Sequence, residues 1–299
     1  MERIKIISHS ALDLKKWDKA ILNSPLPLVF AQSFYLNATA HNWKALVLDN
    51  YKAVMPLTQA SKLNINYLHQ PPFTSQLGIY GNASKKDVEE IESVLQKNYK
   101  FIEIEQNAHT KFQNNVKDKL TYVIDYKKGY KFNDNTKRNI SKANKLNCKV
   151  SEVVDLESIS KLAKSKIIPW LKKEHKVSEA HCSLFLKLIT NAFNAQALKC
   201  FVTVDEKGAP QALGYFIFND FHAVFLKGMS FNKKDNTGSM HLLMNYAINY
   251  FENKVSLFDF GGGAAAGIAT FYKGLGGKEL KYQVLKINQL PWPLKLLKK

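Results

Sequence analysis

One carboxylate stands in an otherwise apolar strand near the end of the chain, in the segment LFDFGGGAAAGIATFYKGLGG, Leu257 to Gly277. Asp259 lies there between Phe258 and Phe260, and three glycines follow Phe260. A buried carboxylate must be hydrogen-bonded, ion-paired or catalytic, because burying it alone is costly. The glycines let the backbone approach another backbone or a ligand closely. Asp259 is therefore a candidate acid or base.

The same segment ends in a short helix that carries a phenol and an ammonium group, Tyr272 and Lys273. Either group could face the open end of a sheet and exchange a proton with a substrate. An ordinary helix end explains the glycines that follow equally well, because glycine is a common helix cap. Tyr272 and Lys273 are therefore catalytic candidates together with Asp259.

A further catalytic candidate, Lys227, lies on the apolar strand that precedes this segment. It continues the alternation of Phe221, Ala223 and Phe225, so its ammonium is predicted to point the same way as those apolar groups. Burying the ammonium without a partner would be costly. Either the strand opens at Gly228 and Lys227 reaches a cleft, or the side chain extends to solvent at the strand end.

A polar, basic loop follows that strand and leads into a helix whose first turn contains Thr237, Gly238, Ser239 and Met240. Free backbone N–H groups and the positive helix end form a potential anion site, which a glycine lets a pyrophosphate approach. The phosphates of coenzyme A would suit this site, although a glycine is also ordinary near a helix start. We expect Gly238→Val to abolish carrier binding and to leave the fold intact.

Several enzyme classes lack their signatures in this chain. There is no GxSxG, HExxH or Walker motif and no GxGxxG that opens a helix, which argues against hydrolases, kinases and dehydrogenases. Three cysteines without a CxxC pair indicate neither disulfides nor zinc, and no metal is expected. No apolar run approaches 18 residues and no signal peptide is evident, so a cytoplasmic location is predicted. The terminal PWPLKLLKK could still contact an anionic membrane face.

The charge of the chain suggests an anionic partner. Its 299 residues include 43 Lys and Arg against 25 Asp and Glu, a formal net charge of +18. Nucleic acid, a nucleotide cofactor, a phosphorylated sugar or an acidic membrane would fit, and so would a merely solvated lysine surface. Arg138 is one of only two arginines, and a guanidinium can hold a phosphate at two points. On a predicted helix, Arg138, Lys142 and Lys145 recur on one face.

Hydrophobic periodicity predicts an α+β protein with mostly antiparallel sheets and helices packed on them. The clearest helix spans Ser84 to Asn98, with a serine cap and apolar residues at helical spacing. In the second half, helices are predicted at 155–167 and 178–197. The predicted domains are residues 1–130, residues 131–280 and a terminal segment of residues 281–299.

Three segments together resemble the signature of Fem-type acyltransferases, a GNAT-like group that includes enzymes of peptidoglycan interpeptide bridges. They are NTKRNISKANKLNCKV, FNKKDNTGSMHLLMNYAINYF and FDFGGGAAAGIATFYKGLGG, in matching order and spacing over residues 131–282. The first half agrees in pattern only, with QPPFTSQLGIYG where such proteins keep a substrate loop. The resemblance implies two tandem GNAT-like domains, with the terminal segment returning to the first.

The resemblance also implies transfer of an acyl or aminoacyl group from a carrier to an amine. It assigns parts of a site to residues on both halves of the chain. These are Lys137, Arg138, Phe73 and Gln76 for the substrate, Thr237, Gly238, Ser239 and Met240 for the carrier phosphate, and Asp259 to Lys273 for the reacting centre.

Two departures from the family favour an acyl-CoA donor over aminoacyl-tRNA. Tyr272 follows Phe271 where bridge-forming members tend to carry lysine, and no extended helical arm is present. We therefore expect an N-acyltransferase that uses an acyl-CoA thioester to modify an amine of a sugar, amino acid or envelope precursor, which could be nucleotide-linked. A tRNA-dependent aminoacyltransferase and a non-catalytic protein that binds an anion or nucleic acid are the alternatives.

Overall fold

The computed structural model describes residues 3–112, 116–231, 237–263 and 265–295. The chain forms two compact units, Met1–Lys119 with Lys281–Lys299, and Leu120–Leu280. The assignment of residues 1–130, 131–280 and 281–299 to GNAT-like domains stays a prediction. In the described part of the chain, no helix has the length and apolar character needed to cross a membrane.

The first unit combines three helices with short strands. Its elements are β1 (Ile4–Ser8), α1 (Leu14–Leu22), α2 (Ser33–Thr39), β2 (Lys44–Leu48), β3 (Ala53–Leu57), β4 (Gln59–Lys62), β5 (Ile65–His69), β6 (Tyr80–Gly81), α3 (Lys85–Asn98) and β7 (Phe101–Glu105). Strands β1, β2, β3 and β6 form an antiparallel sheet. The β4–β5 hairpin joins β7 through a parallel β5–β7 pair.

Helix α3 begins where the sequence predicts it, because its first turn caps itself. The Ser84 hydroxyl accepts a hydrogen bond from the Asp87 amide at 3.2 Å, and the Asp87 carboxylate accepts one from the Ser84 amide at 2.9 Å. This reciprocal pair satisfies two amides that the helix cannot.

The second unit is a larger sheet with helices on both faces. Its elements are β8 (Val116–Asp125), α4 (Asp134–Lys145), β9 (Lys149–Glu152), α5 (Leu156–Leu162), α6 (Ile168–His175), α7 (Glu179–Asn194), β10 (Leu198–Val204), β11 (Pro210–Phe218), β12 (His222–Ser230), α8 (Ser239–Phe251), β13 (Leu257–Asp259) and α9 (Ala266–Gly274). The strand order is β8-β13-β12-β11-β10-β9, antiparallel except for β12–β13. Strand β14 (Lys278–Asn288) then leads back to the first unit, where Val284–Asn288 pair with β7.

The core of the second unit lies between this sheet and α8 with α9. Phenylalanines of four strands, among them Phe216, Phe225 and Phe258, pack there against Leu243 and Phe251 of α8. These apolar residues explain why α8 is buried along most of its length.

One predicted helix end is wrong. The helix predicted at 155–167 continues through a π-helical turn, Ala163–Ile167, into α6, although Pro169 lies in the first turn of α6. The wider turn already interrupts the regular hydrogen-bond ladder, so the amide that proline lacks is not required. The short strands β4, β6 and β9 also escaped the sequence analysis.

Candidate functional site

The sheet of the second unit opens where the parallel strands β12 and β13 cease to pair. His222 opposes Leu257 and Val224 opposes Asp259, the last residue of β13. Strand β12 continues to Ser230 in register with β11. After β13 ends, the backbone stays close to β12 as far as Gly261, because a Cβ on Gly261 would lie 2.7 Å from the Phe225 carbonyl oxygen. The opening therefore begins beyond Phe225.

A β-bulge at Leu226 decides where Lys227 points. On β11, Phe216 opposes Phe225 and the adjacent Tyr215 opposes Lys227, so β12 carries one extra residue. Adjacent strand residues point to opposite faces of a sheet, and paired residues share a face. Lys227 therefore lies on the face of Tyr215. The prediction that it points with the preceding apolar residues is wrong, because the bulge shifts the alternation by one.

The neighbours of Lys227 support this orientation. A Cβ on Gly228 would lie 2.6 Å from the ring of Phe225, so Gly228 faces Phe225 and Lys227 faces away from it. On the Lys227 side, the Tyr215 hydroxyl donates a hydrogen bond of 2.9 Å to the Ile159 carbonyl of α5. Lys227 lies under the helices of this face.

Burial lowers the pKa of the Lys227 ammonium. Loss of hydration penalises the charged form, and no carboxylate of the described residues lies within ion-pair distance to offset it. A lysine whose pKa is lowered in this way can accept a proton from a substrate more readily than a solvated one.

Asp259 is fully buried at the end of β13 and serves the turn that follows. Its Oδ1 accepts hydrogen bonds from the Thr121 hydroxyl and the Gly261 amide, both at 2.8 Å. Its Oδ2 lies 3.6 Å from Nε2 of His222 and accepts no hydrogen bond within the described ranges. Gly261 has φ +72°, a conformation that favours glycine. Asp259 therefore holds this turn, and its role as an acid or base stays a prediction.

Tyr272 lies on the opposite, aromatic face of the sheet. Its ring stacks on Phe260 with 4.6 Å between centroids and an interplanar angle of 26°. Burial, followed by the negative charge of Asp259, raises the pKa of the Tyr272 phenol, so the phenol stays protonated. Within the part of the chain that the structure describes, its hydroxyl has no hydrogen-bond partner. The phenol is available as a proton donor.

Lys273 is turned to the surface. Its Nζ lies 2.9 Å from the Glu279 carboxylate and 5.6 Å from the centroid of the Tyr122 ring. The hydrogen bond to Glu279 raises the pKa of this ammonium. The structure engages Lys273 in an exposed ion pair, so of the two neighbours Tyr272 is the better candidate.

Gly238 is required by the packing of two helices. It caps α8 with φ +74°, and a Cβ there would lie 2.0 Å from the Asn139 carbonyl oxygen of α4. A side chain would have to displace the α4 backbone. The expectation that Gly238→Val leaves the fold intact is therefore wrong.

The other carrier-site candidates have partners within the protein. The Ser239 amide donates to the Thr237 hydroxyl at 3.4 Å, and the Ser239 hydroxyl donates to the Gln211 carbonyl at 3.4 Å. Met240 packs on the core. The basic loop predicted before them, at 232–236, lies outside the described residues. The feature of α8 that can attract an anion is the positive N-terminal end of this 13-residue helix.

The substrate candidates lie in different units. On α4, Lys137 Nζ lies 3.7 Å from Asp134, and Arg138 is exposed with no ion pair among the described residues. In the first unit, the Phe73 carbonyl accepts a hydrogen bond from the Tyr35 hydroxyl. Gln76 is fully buried there. Its Oε1 accepts from the Ala108 amide at 3.0 Å, and its Nε2 has no partner in the described ranges.

Thr121, Asn139 and His222 take part in the site and were missed by the sequence analysis. Each acts on a residue far away in the chain: Thr121 and His222 on Asp259, and Asn139 on Gly238. The only sequence signal was His222, a polar residue at the start of an apolar strand.

Comparison with known proteins bears on the fold. No family model matches the chain, and no curated protein matches it by sequence. The crystal structure of FemX aligns with a TM-score of 0.70 at 11% identity, covering 98% of this chain and 99% of that one. The C-terminal DUF2156 domain of a candidate lysylphosphatidylglycerol synthetase from Agrobacterium fabrum aligns with a TM-score of 0.59 at 8% identity. The alignment covers 95% of this chain and 94% of that one.

L-PGS from Bacillus licheniformis aligns with a TM-score of 0.52 at 11% identity, covering 85% of this chain and 87% of that one. Alignments at such low sequence identity are informative about the backbone fold alone. Together with the mixed helices and largely antiparallel strands described above, they show that this chain shares the backbone fold of FemX, in agreement with the Fem-type resemblance of its sequence.

Proposed function

We propose that this protein is an acyltransferase that transfers an acyl group from a carrier to an amine at the opening between β12 and β13. The observation that carries the proposal is Lys227, a half-buried lysine beside that opening whose pKa is lowered by burial. Acyl transfer to an amine requires a base, because an ammonium cannot attack a carbonyl carbon.

Each proton in the proposed reaction has a named group. The uncharged Lys227 amine takes a proton from the acceptor ammonium, and the freed amine attacks the carbonyl carbon of the acyl group. The tetrahedral adduct collapses as the bond to the carrier breaks. Tyr272, which reaches the opening from the other face of the sheet, gives its phenol proton to the leaving sulfur or oxygen and takes the surplus proton of the attacking nitrogen, and Lys227 returns its proton to solvent. Leu226, which has no opposite residue on β11, offers its backbone N–H to the oxyanion.

The first candidate donor is an acyl-CoA thioester, as the departures from the Fem-type pattern favour. Its phosphates would meet the start of α8, at Thr237 to Met240, and the carrier chain would enter the opening. The acceptor is an amine on a sugar, amino acid or envelope precursor in the cytoplasm, and Lys137 and Arg138 of the second unit are the proposed acceptor-binding residues. This class of acceptor includes nucleotide-linked precursors and precursors at an anionic membrane. The assignment of Phe73 and Gln76 of the first unit to the substrate stays a prediction.

An aminoacyl ester of tRNA is the second candidate donor. One similar structure carries a name that describes an aminoacylated lipid, lysylphosphatidylglycerol. The exposed cations of α4, Arg138, Lys142 and Lys145, would suit phosphate contacts. Binding through such contacts weakens steeply as salt rises, whereas binding of a small thioester in a cleft depends on salt much less.

A transfer assay tests the proposal with both donors. Purified protein is incubated with acetyl-CoA, longer acyl-CoAs or charged tRNA and a set of amines, and the N-acylated product is measured by mass spectrometry. Lys227→Met should abolish transfer, while Lys187→Met, an exposed lysine of α7, should not. Because the base must be uncharged, the wild-type rate should rise with pH through the lowered pKa of Lys227 and then level off.

Two results would refute the proposal. No product from any donor and amine would reject acyl transfer. Full activity and an unchanged pH profile in Lys227→Met would remove Lys227 from the reaction. Product from charged tRNA alone would assign the donor to the second candidate.

A further inference from the structure

We infer that a groove between α4 and α8 is a binding site for a neutral saccharide, separate from the proposed transfer site. The groove has a volume of about 620 Å³ and is lined by residues of α4, β9 and α8. That volume is in the usual range for small-molecule sites, about 300–1,000 Å³. Asn249, in its wall, lies 11 residues along α8 from Gly238, about 16 Å at a rise of ~1.5 Å per residue.

Two tyrosines lie at the groove, and Tyr246 offers the accessible ring, because the Nζ of Lys254 lies 3.2 Å from the centroid of the Tyr250 ring. The rings of Tyr246 and Tyr250 are 6.5 Å apart at their centroids and nearly parallel, at 21°. Both rings meet the buried Phe201 edge-on, at 5.0 Å and 5.3 Å. The Tyr246 side chain nevertheless stays 38% exposed. Aromatic rings held in place in this way can pack on the C–H face of a sugar ring at little entropic cost.

Three amide side chains in the wall supply the polar contacts. Asn144 makes no side-chain hydrogen bond within the described ranges, and Asn245 accepts only a long one, 3.5 Å, from Asn249. Asn249 also accepts from the Tyr130 hydroxyl at 3.1 Å. An amide both donates and accepts, which matches a ligand whose hydroxyl groups do the same.

The apolar base of the groove and the charge of its lining restrict the class of ligand further. Cys148 and Leu242 form a small buried apolar cluster at its base, and Val150 packs against it. This surface suits an apolar group such as the methyl of an acetamido sugar. The lining contains no carboxylate, and Lys149 is its one charged residue. Lys199 and Lys254, which lie over the Tyr250 ring, are engaged by the Glu152 carboxylate and the Tyr250 carbonyl. A diphosphate would need more cations, and a cationic ligand would need an acid, so a neutral, N-acetylated saccharide fits best.

Ligand-detected NMR and calorimetry on the full chain test this inference. The probes are N,N′-diacetylchitobiose, cellobiose as the same linkage without acetamido groups, AMP and an acetylated Ala-Ala dipeptide. We expect diacetylchitobiose to bind more tightly than the other three. Tyr246→Ala should weaken it about tenfold, since a packed aromatic contact is lost. Ile268→Ala, which changes an exposed residue on α9, should not.

A variant that loses its fold would confuse the result, so each variant is first compared with wild type by urea unfolding. Asn245→Leu, which keeps the bulk but removes the amide, serves as a second probe of the same groove. The inference is overturned if diacetylchitobiose gives no saturation transfer at millimolar concentration, or if Tyr246→Ala and Asn245→Leu both bind it as wild type does. Tighter binding of AMP or of the dipeptide would also overturn it and assign the groove to that class.

Discussion

A methyl group added at Gly238 should destabilise the second unit far more than one added at another left-handed glycine. Gly238 has φ +74°, and its Cβ would lie 2.0 Å from the Asn139 carbonyl oxygen. Gly208, in the β10–β11 turn, has φ +78° and open space around its Cβ. A left-handed conformation costs a residue with a Cβ about 1–2 kcal/mol. Forcing apart a packed contact costs about 1–3 kcal/mol more.

Gly208→Ala should therefore lower the free energy of unfolding by about 1–2 kcal/mol, and Gly238→Ala by about 2–5 kcal/mol. Both are measured as the shift of the urea midpoint at constant slope, with both positions in the second unit. The difference between the two isolates the contact with α4. Equal losses would refute the reasoning, because they would show that α4 yields without cost and that Gly238 is free to serve a ligand.

Three further perturbations follow from the ionised and hydrogen-bonded groups. Hydrogen bonds from Ser84, together with nearby cations, hold the pKa of Asp87 well below its usual range. The stability that ionised Asp87 contributes is present above its unfolded pKa of about 3.9 and is lost as pH falls toward its folded pKa. The urea midpoint of the wild type should therefore drop between about pH 5 and 3, and that of Asp87→Asn should drop less. Lys227→Met should raise the midpoint at pH 7, because burial penalises the charged ammonium in the folded chain and not in the unfolded one. This gain should fade as pH approaches about 10.4, and a gain that persists above it would point to packing instead. Thr121→Val should lower the free energy of unfolding by about 1–3 kcal/mol, because the buried Asp259 carboxylate loses one hydrogen-bond donor. A loss below about 0.5 kcal/mol would show that the Asp259 side chain finds another donor.

Much of the local structure is predictable because its causes are local. Helix α3 is capped within four residues, from Ser84 to Asp87, so its start can be recognised in the sequence. The antiparallel strands follow from alternation and turn residues. Asp259 was recognisable as exceptional, because an acid between two phenylalanines requires a partner wherever the strand lies.

The partners of these residues could not be predicted, because they are remote in the chain. Thr121 and Asp259 are 138 residues apart, and the sequence does not say which donor meets the carboxylate. The direction of Lys227 depends on a single extra residue at Leu226, a feature of strand register that alternation alone cannot show.

The sequence by itself therefore determined the fold class, the helix start at Ser84 and the group of residues worth testing. Only the tertiary structure decided what these residues meet. Gly238 lies at a helix contact, Asp259 at a turn and Lys273 in a surface ion pair, and Lys227 lies on the other face of the sheet. The reason is physical: residue type and spacing fix what a side chain can do, but register and distant packing fix what it meets.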